Sequence, residues 1–244
     1  MNENAGRKSE MQAVVFDMDG LMFNTEDVYT VVGTELLRRR GHLFTAELKN
    51  AMMGLRPQPT FEAMIRHCNL TETWQQLAAE SNALFIGVLA ENLAPMPGLL
   101  ELLDALERAG IPKAIGTSSS RQLVEVCLAP FNMRRRFQFI LAAEDITHGK
   151  PHPEIYLTAA TRFGVPPAEM MVLEDSENGC RAAAAAGAFT VAVPGEHSRQ
   201  QDFSMASLIL KSLADRRLCE ALEIIDSQES NVVQTPRDCD PGGQ

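Results

Sequence analysis

The amino-acid sequence predicts an α/β protein: a parallel sheet with helices on both faces, interrupted after its first strand by an all-helical insertion. Three observations predict it. Val14-Val15-Phe16 is a short apolar run ending in Asp17-Met18-Asp19-Gly20, as the buried central strand of a parallel sheet ends. Between Thr25 and Leu93 apolar residues recur at helical spacing with no convincing strand among them. After the punctuation of Pro95-Met96-Pro97-Gly98, helix and strand patterns alternate in the manner of βαβ units.

In order, the insertion reads as helices over 25–40, 46–53, 60–68 and 71–93. The alternating part reads as helix 98–109, strand 112–116, helix 120–129, strand 137–141, helix 153–163, strand 170–173, helix 177–186 and strand 189–193. A short apolar Leu208-Ile209-Leu210 and a final helix near 212–225 complete it. The run Ala182 to Ala186 followed by Gly187 suits a tightly packed helix with a glycine C-cap. The expected division is a discontinuous core of 11–24 and 95–226 and a helical domain of 25–94. The polar ends, 1–10 and 227–244, are expected to be disordered.

Composition narrows the function. A chain of 244 residues with 45% apolar content can build one α/β domain plus a smaller insertion. Its net charge of -10 argues against nucleic acid, whose backbone calls for a basic surface. No apolar stretch is long enough to span a bilayer, so no membrane partner is expected. The five cysteines, Cys68, Cys127, Cys180, Cys219 and Cys239, are scattered without paired spacing, which suits a reducing cytoplasm.

Four strand ends carry chemistry. Residues at i and i+2 of a strand share a face, so Asp17 and Asp19 can reach one reaction centre at the C-terminal edge of the sheet. Gly116-Thr117-Ser118-Ser119 offers hydroxyls and backbone N–H groups at a helix start, an anion site. Lys150 precedes another helix, and Glu174-Asp175 ends an apolar strand with hard oxygen ligands suited to magnesium. Together they describe a site for a phosphate and a divalent cation. Each alone has a plainer reading: Asp-x-Asp-Gly as a turn, Lys150 as a solvated lysine, Glu174-Asp175 as acids favouring a helix N-terminus.

The ordered set Asp17-x-Asp19-Gly20, Thr117-Ser118, Lys150-Pro151 and Glu174-Asp175 resembles the haloacid dehalogenase superfamily of aspartate-nucleophile phosphotransferases. The stretches from Phe16 to Glu26 and from Glu174 to Gly179 are most similar to its β-phosphoglucomutase and sugar-phosphate phosphatase branch. That resemblance implies a Rossmann-like core, a helical cap inserted after the first strand, Mg2+ as cofactor and a small phosphorylated metabolite as substrate. A monomer or weak dimer is expected. It also implies roles: Asp17 as nucleophile; Asp19 as acid and base; Thr117, the Ser118 N–H and Lys150 on the phosphoryl group. The metal would be held by Asp17, the Asp19 carbonyl and Asp175, with Glu174 assisting.

Cap residues expected near substrate are Thr25, Tyr29, Gly54 and Arg56. The mutases of the branch have a histidine where this chain has Tyr29, a lysine where it has Met53 and an arginine where it has Pro57. Hydrolysis is therefore preferred over isomerisation, with a catalytically silent binding module as a further alternative. Arg134-Arg135-Arg136 reads as a solvated face, His152 as structural, and Met52-Met53 and Met170-Met171 as core filler.

Overall fold

A computed structural model describes residues 11–52, 55 and 57–224. Its element order is β1 (Ala13–Phe16), α1 (Thr25–Arg38), α2 (Ala46–Met52), α3 (Pro57–Cys68), α4 (Trp74–Asn92), α5 (Leu99–Arg108), β2 (Lys113–Gly116), α6 (Arg121–Leu128), β3 (Ile140–Leu141), α7 (Glu154–Phe163), β4 (Met170–Glu174), α8 (Glu177–Ala186), β5 (Phe189–Ala192), β6 (Leu208–Ile209) and α9 (Arg216–Ala221). The six strands lie in the order β3-β2-β1-β4-β5-β6, all parallel. The order reverses at β1, so the crevice between its C-terminal end and β2 and β4 is where an open α/β sheet binds ligands.

Strand alternation divides the core. Val14 and Phe16 face one apolar layer with Ile115, Leu173 and Val191, and helices α5 and α6 pack there. Ala13 and Val15 face the other, built with Val172, Tyr156 of α7 and Ala182 and Ala183 of α8. The alanine run of α8 is the small-residue face that lets this helix sit close to the sheet, and Gly187 at φ 80° ends it.

The helical insertion has a core of its own, formed by Leu36, Leu37, Leu48, Met64, Cys68 and Leu77. Helix α4 starts at a capping box: Thr73 Oγ1 accepts from Gln76 N and the Gln76 side chain accepts from Thr73 N. Entry and exit of the insertion are tied together. The Asn24 amide nitrogen donates to Asn92 O at 3.0 Å, its oxygen accepts from Ala94 N at 2.7 Å, and Phe23 bridges to Pro95.

Three expectations need correction. The strand over 137–141 shrinks to Ile140–Leu141 because regular pairing with β2 starts only at Ile115 and Ile140, although Gln138 N already donates to Lys113 O at 2.9 Å and Ile115 N to Phe139 O at 3.3 Å. The last helix is Arg216–Ala221, started by Asp215, whose side chain accepts from Arg217 N, and so begins later than expected at 212. Arg136 is not merely a solvated face: it donates to Glu107 at 2.8 Å and also pairs with Asp104, tying the short 3-10 turn Met133–Arg136 to α5. The expected disorder of 1–10 and 227–244, and the positions Met53, Gly54, Arg56 and Cys239, fall outside the described residues.

Candidate active site

Register brings the acids together. Val15 pairs with Val172 on β4 and with Ala114 on β2, so two residues further on Asp17 stands beside Glu174 on one side and Gly116 on the other. The ladder continues past the strand, since Asp17 N donates to Leu173 O at 3.0 Å and Thr117 N to Leu141 O at 3.0 Å. Both side chains are thus carried on backbone that the sheet fixes.

Lys150 reaches this point from the loop before α7. Its ammonium donates to Asp17 Oδ1 at 2.5 Å, Glu174 Oε1 at 2.6 Å and Gly116 O at 3.0 Å, which uses its three N–H groups. Glu174 is fully buried and further fixed by Tyr156 Oη at 2.6 Å and Ser176 Oγ at 3.0 Å, both donating to it. Burial opposes the charge on Lys150, but Asp17 and Glu174 outweigh it and hold the ammonium well above its ordinary pKa.

Two glycines let the acids in. A Cβ on Gly20, whose φ is +75°, would sit 2.2 Å from Asp175 Oδ2, and one on Gly179 would sit 1.9 Å from the Glu174 carboxyl carbon. Neither close approach survives a side chain.

Asp17, Glu174 and Asp175 are buried and offer one oxygen each within 4.8 Å of one another. Three carboxylates face one ammonium. Burial raises the pKa of Asp175, and Asp17 and Glu174 raise it further. Crowded, hard oxygen donors with excess negative charge fit a divalent cation such as magnesium.

Asp19 is set apart from that cluster. Its Oδ2 accepts from Ser119 Oγ at 2.7 Å and Thr117 Oγ1 at 3.2 Å, while its buried Oδ1 accepts no hydrogen bond of good geometry among the described residues. Burial raises its pKa against the pull of Ser119, Thr25 and Thr117, the direction an acid needs in order to hold a proton.

The cavity over these groups has a volume of about 310 Å³. Asp17, Asp19, Thr117, Ser118, Lys150 and Asp175 line its floor, and Tyr29, Phe44, Met52, Phe61 and Met64 of the insertion line its apolar roof. Tyr29 is held by its ring against Phe85, with centroids 4.7 Å apart. Thr25 differs from its expected place: it is fully buried, and its Oγ1 accepts from Gly20 N at 3.2 Å, so it braces the turn beneath Asp19 instead of facing the cavity. Sequence reasoning missed Tyr156, Lys49 and His197, which reach the site only through tertiary packing, and Ser176, a local neighbour of Glu174. Ser119, expected among the hydroxyls of the anion site, donates to Asp19. Met52, expected as core filler, lines the cavity, whereas Met170 and Met171 are core as expected.

A parallel sheet whose switch point gathers buried acids, a lysine and hydroxyls beneath an inserted helical cap defines a capped α/β hydrolase. More particularly, the family model for haloacid dehalogenase-like hydrolases matches residues 14–193, and the chain belongs to that family. Within it the chain lies among phosphatases. It is 37% identical over 207 residues to the "Probable pseudouridine-5'-phosphatase" of Drosophila melanogaster, covering 82% of this chain and 89% of that one. It is 31% identical over 179 residues to a fructose-1-phosphate phosphatase of Escherichia coli, covering 71% and 92%. A crystal structure of CbbY from Rhodobacter sphaeroides in complex with phosphate superimposes with a TM-score of 0.75 at 28% identity, covering 84% and 96%. Among the described residues no helix is long and apolar enough to cross a membrane.

Proposed function

We propose that the chain is a magnesium-dependent phosphatase of a small phosphorylated metabolite, a sugar phosphate or a nucleotide-like pentose 5-phosphate, working through an aspartyl-phosphate. The observation that carries the reading is the Lys150 ammonium shared between Asp17 and Glu174 at the floor of a capped cavity. Helices of 25–94 serve as the cap over a core of 11–24 and 95–226.

In this reading Asp17 attacks phosphorus and the ester oxygen leaves with a proton from Asp19. A water that gives its proton back to Asp19 then attacks the phosphoryl group, releasing inorganic phosphate and restoring Asp17. Lys150 keeps Asp17 oriented, and Thr117 and the Ser118 N–H receive the phosphoryl oxygens. Magnesium, held by Asp17, Asp175 and the Asp19 carbonyl with Glu174 assisting, would offset the charge that otherwise repels a phosphate dianion.

The test is phosphate release over a panel including pseudouridine 5'-phosphate and fructose 1-phosphate, with magnesium and with chelator. Release that needs magnesium supports the reading; conversion of a hexose 1-phosphate into its 6-phosphate without phosphate release would establish a mutase instead.

A further inference from the structure

One cation in the cavity wall belongs to none of the roles above. Lys49, on α2, lines the same cavity as Asp17 and Asp19. Its ammonium donates to Thr30 Oγ1 at 2.5 Å and to His197 Nδ1 at 3.0 Å. His197 lies in the loop after β5, on the sheet side of the cavity, and its Nε2 is 3.0 Å from Asp27 Oδ1 at the start of α1. An ammonium only donates, so Nδ1 must accept and the ring proton sits on Nε2, donated to Asp27. The loop is itself fixed, because buried Ser198 accepts through Oγ from Gly195 N at 3.1 Å. Lys49 is therefore held from two sides, by α1 of the cap and by a loop of the core, and among the described residues the third of its N–H groups is left for a ligand.

The surroundings decide what that ligand is. Glu26 also lines the cavity and lies close to Gly20, whose added Cβ would be 3.6 Å from Glu26 Cγ. Asp27 closes the far side of His197. With Glu26 within electrostatic reach of Lys49 and His197, and Asp27 on the far side of His197, Lys49 does not present the net positive field that a second phosphate calls for. A fixed N–H beside a carboxylate suits a neutral oxygen, a hydroxyl or carbonyl on the leaving group.

Resting on the phosphatase reading, we infer that Lys49 is the specificity-determining residue of the cap, donating to a neutral oxygen of the leaving group, and that His197 and Asp27 position it. The phosphoryl half of the substrate is held by the core without it.

Binding tests this apart from turnover. Calorimetry in magnesium compares the Asp17→Asn protein with Asp17→Asn/Lys49→Met, using inorganic phosphate, fructose 1-phosphate, pseudouridine 5'-phosphate and fructose 1,6-bisphosphate. The loss of a hydrogen bond from a charged donor should weaken the better-bound monophosphate roughly 10- to 100-fold and leave inorganic phosphate within about threefold. Adding His197→Gln to Asp17→Asn should give a smaller loss in the same direction, which guards against a Lys49 variant that merely misfolds. Equal losses for phosphate and monophosphate, no loss, or no binding of either monophosphate to the Asp17→Asn protein would overturn the assignment. So would a bisphosphate bound at least tenfold more tightly than fructose 1-phosphate by the lysine-containing protein, with that preference abolished in Lys49→Met. If wild-type protein releases no phosphate from any substrate while the affinity difference holds, the phosphatase reading fails and the Lys49 assignment stands.

Discussion

The floor and the roof of the cavity are built on opposite principles. At the floor, Asp17, Glu174 and Lys150 are buried polar groups whose positions are set by strand register and by hydrogen bonds from Tyr156 and Ser176. In the roof, Phe44, Phe61 and Tyr29 are partly buried and rest on apolar contacts. Outside it, the cap is tied by Arg40, which donates to Glu72 at 2.8 Å and to Glu80 at 2.6 Å. The floor tolerates no change of geometry; the roof can exchange side chains and keep its shape. The division of labour we propose is that the sheet edge fixes the chemistry and the cap chooses the leaving group.

The sharpest way to break this contrast is at Lys150. Lys150→Met leaves buried carboxylates uncompensated, and unpairing a buried charge costs about 3–5 kcal/mol. In chelator the expected outcome is a large drop in the urea midpoint, and with magnesium a loss of turnover that is the same for sugar and aryl phosphates. A loss confined to sugar phosphates would move Lys150 from the chemistry to leaving-group recognition.

Next comes Gly179→Ala. Its Cβ would meet a carboxylate held by three donors, so the acid cannot swing away cheaply. Overpacking of this kind costs about 1–3 kcal/mol and should again lower all rates together. Unchanged activity and unfolding midpoint would show that the floor is softer than its hydrogen bonds imply.

Gly33→Ala probes the roof. A Cβ there would come within 2.8 Å of the Phe44 ring, which is partly exposed and free to move. Relative kcat/KM among sugar phosphates should shift by about tenfold, roughly 1.4 kcal/mol, while p-nitrophenyl phosphate changes little. Equal effects on every substrate would assign Gly33 to the fold.

These expectations also mark what the sequence could tell. Asp17, Asp19, Thr117, Lys150 and Glu174-Asp175 were legible because each sits at a strand end or helix start, where local pattern fixes position. Phe137-Gln138-Phe139 alternates like a strand and bonds to β2 through Gln138 N and Phe139 O, but regular pairing starts only at Ile140, a register that local pattern does not reveal. Tyr156 and Lys49 were invisible for another reason. One is an ordinary apolar-face position of α7 and the other an ordinary lysine of α2; only packing against β4 and against the His197 loop gives them a place at the site.

The smallest expected effect lies far from the cavity. Glu107 has its pKa lowered to about 2, chiefly by the hydrogen bond from Arg136, with Lys113 adding to it against burial. A depressed carboxylate stabilises above its unfolded value, about 4.3, and loses that stabilisation as pH falls toward 2. Glu107 is 43% exposed, so the contribution is screened to about 1 kcal/mol or less. The difference in urea midpoint between wild type and Glu107→Gln should therefore shrink between pH 5 and about pH 2. A constant difference would mean that packing, not charge, accounts for the variant.

In the mechanism proposed above, Asp17 carries the phosphoryl group. Rapid-quench mass spectrometry during turnover, followed by pepsin digestion at low pH and peptide mapping, is the decisive experiment. The expected result is a phosphorylated peptide containing Asp17 that appears before inorganic phosphate, decays with its release and is absent from Asp17→Asn, whose turnover falls by several powers of ten, about 1.4 kcal/mol each. Near-normal turnover by pure Asp17→Asn, or phosphate on any other residue, would contradict it.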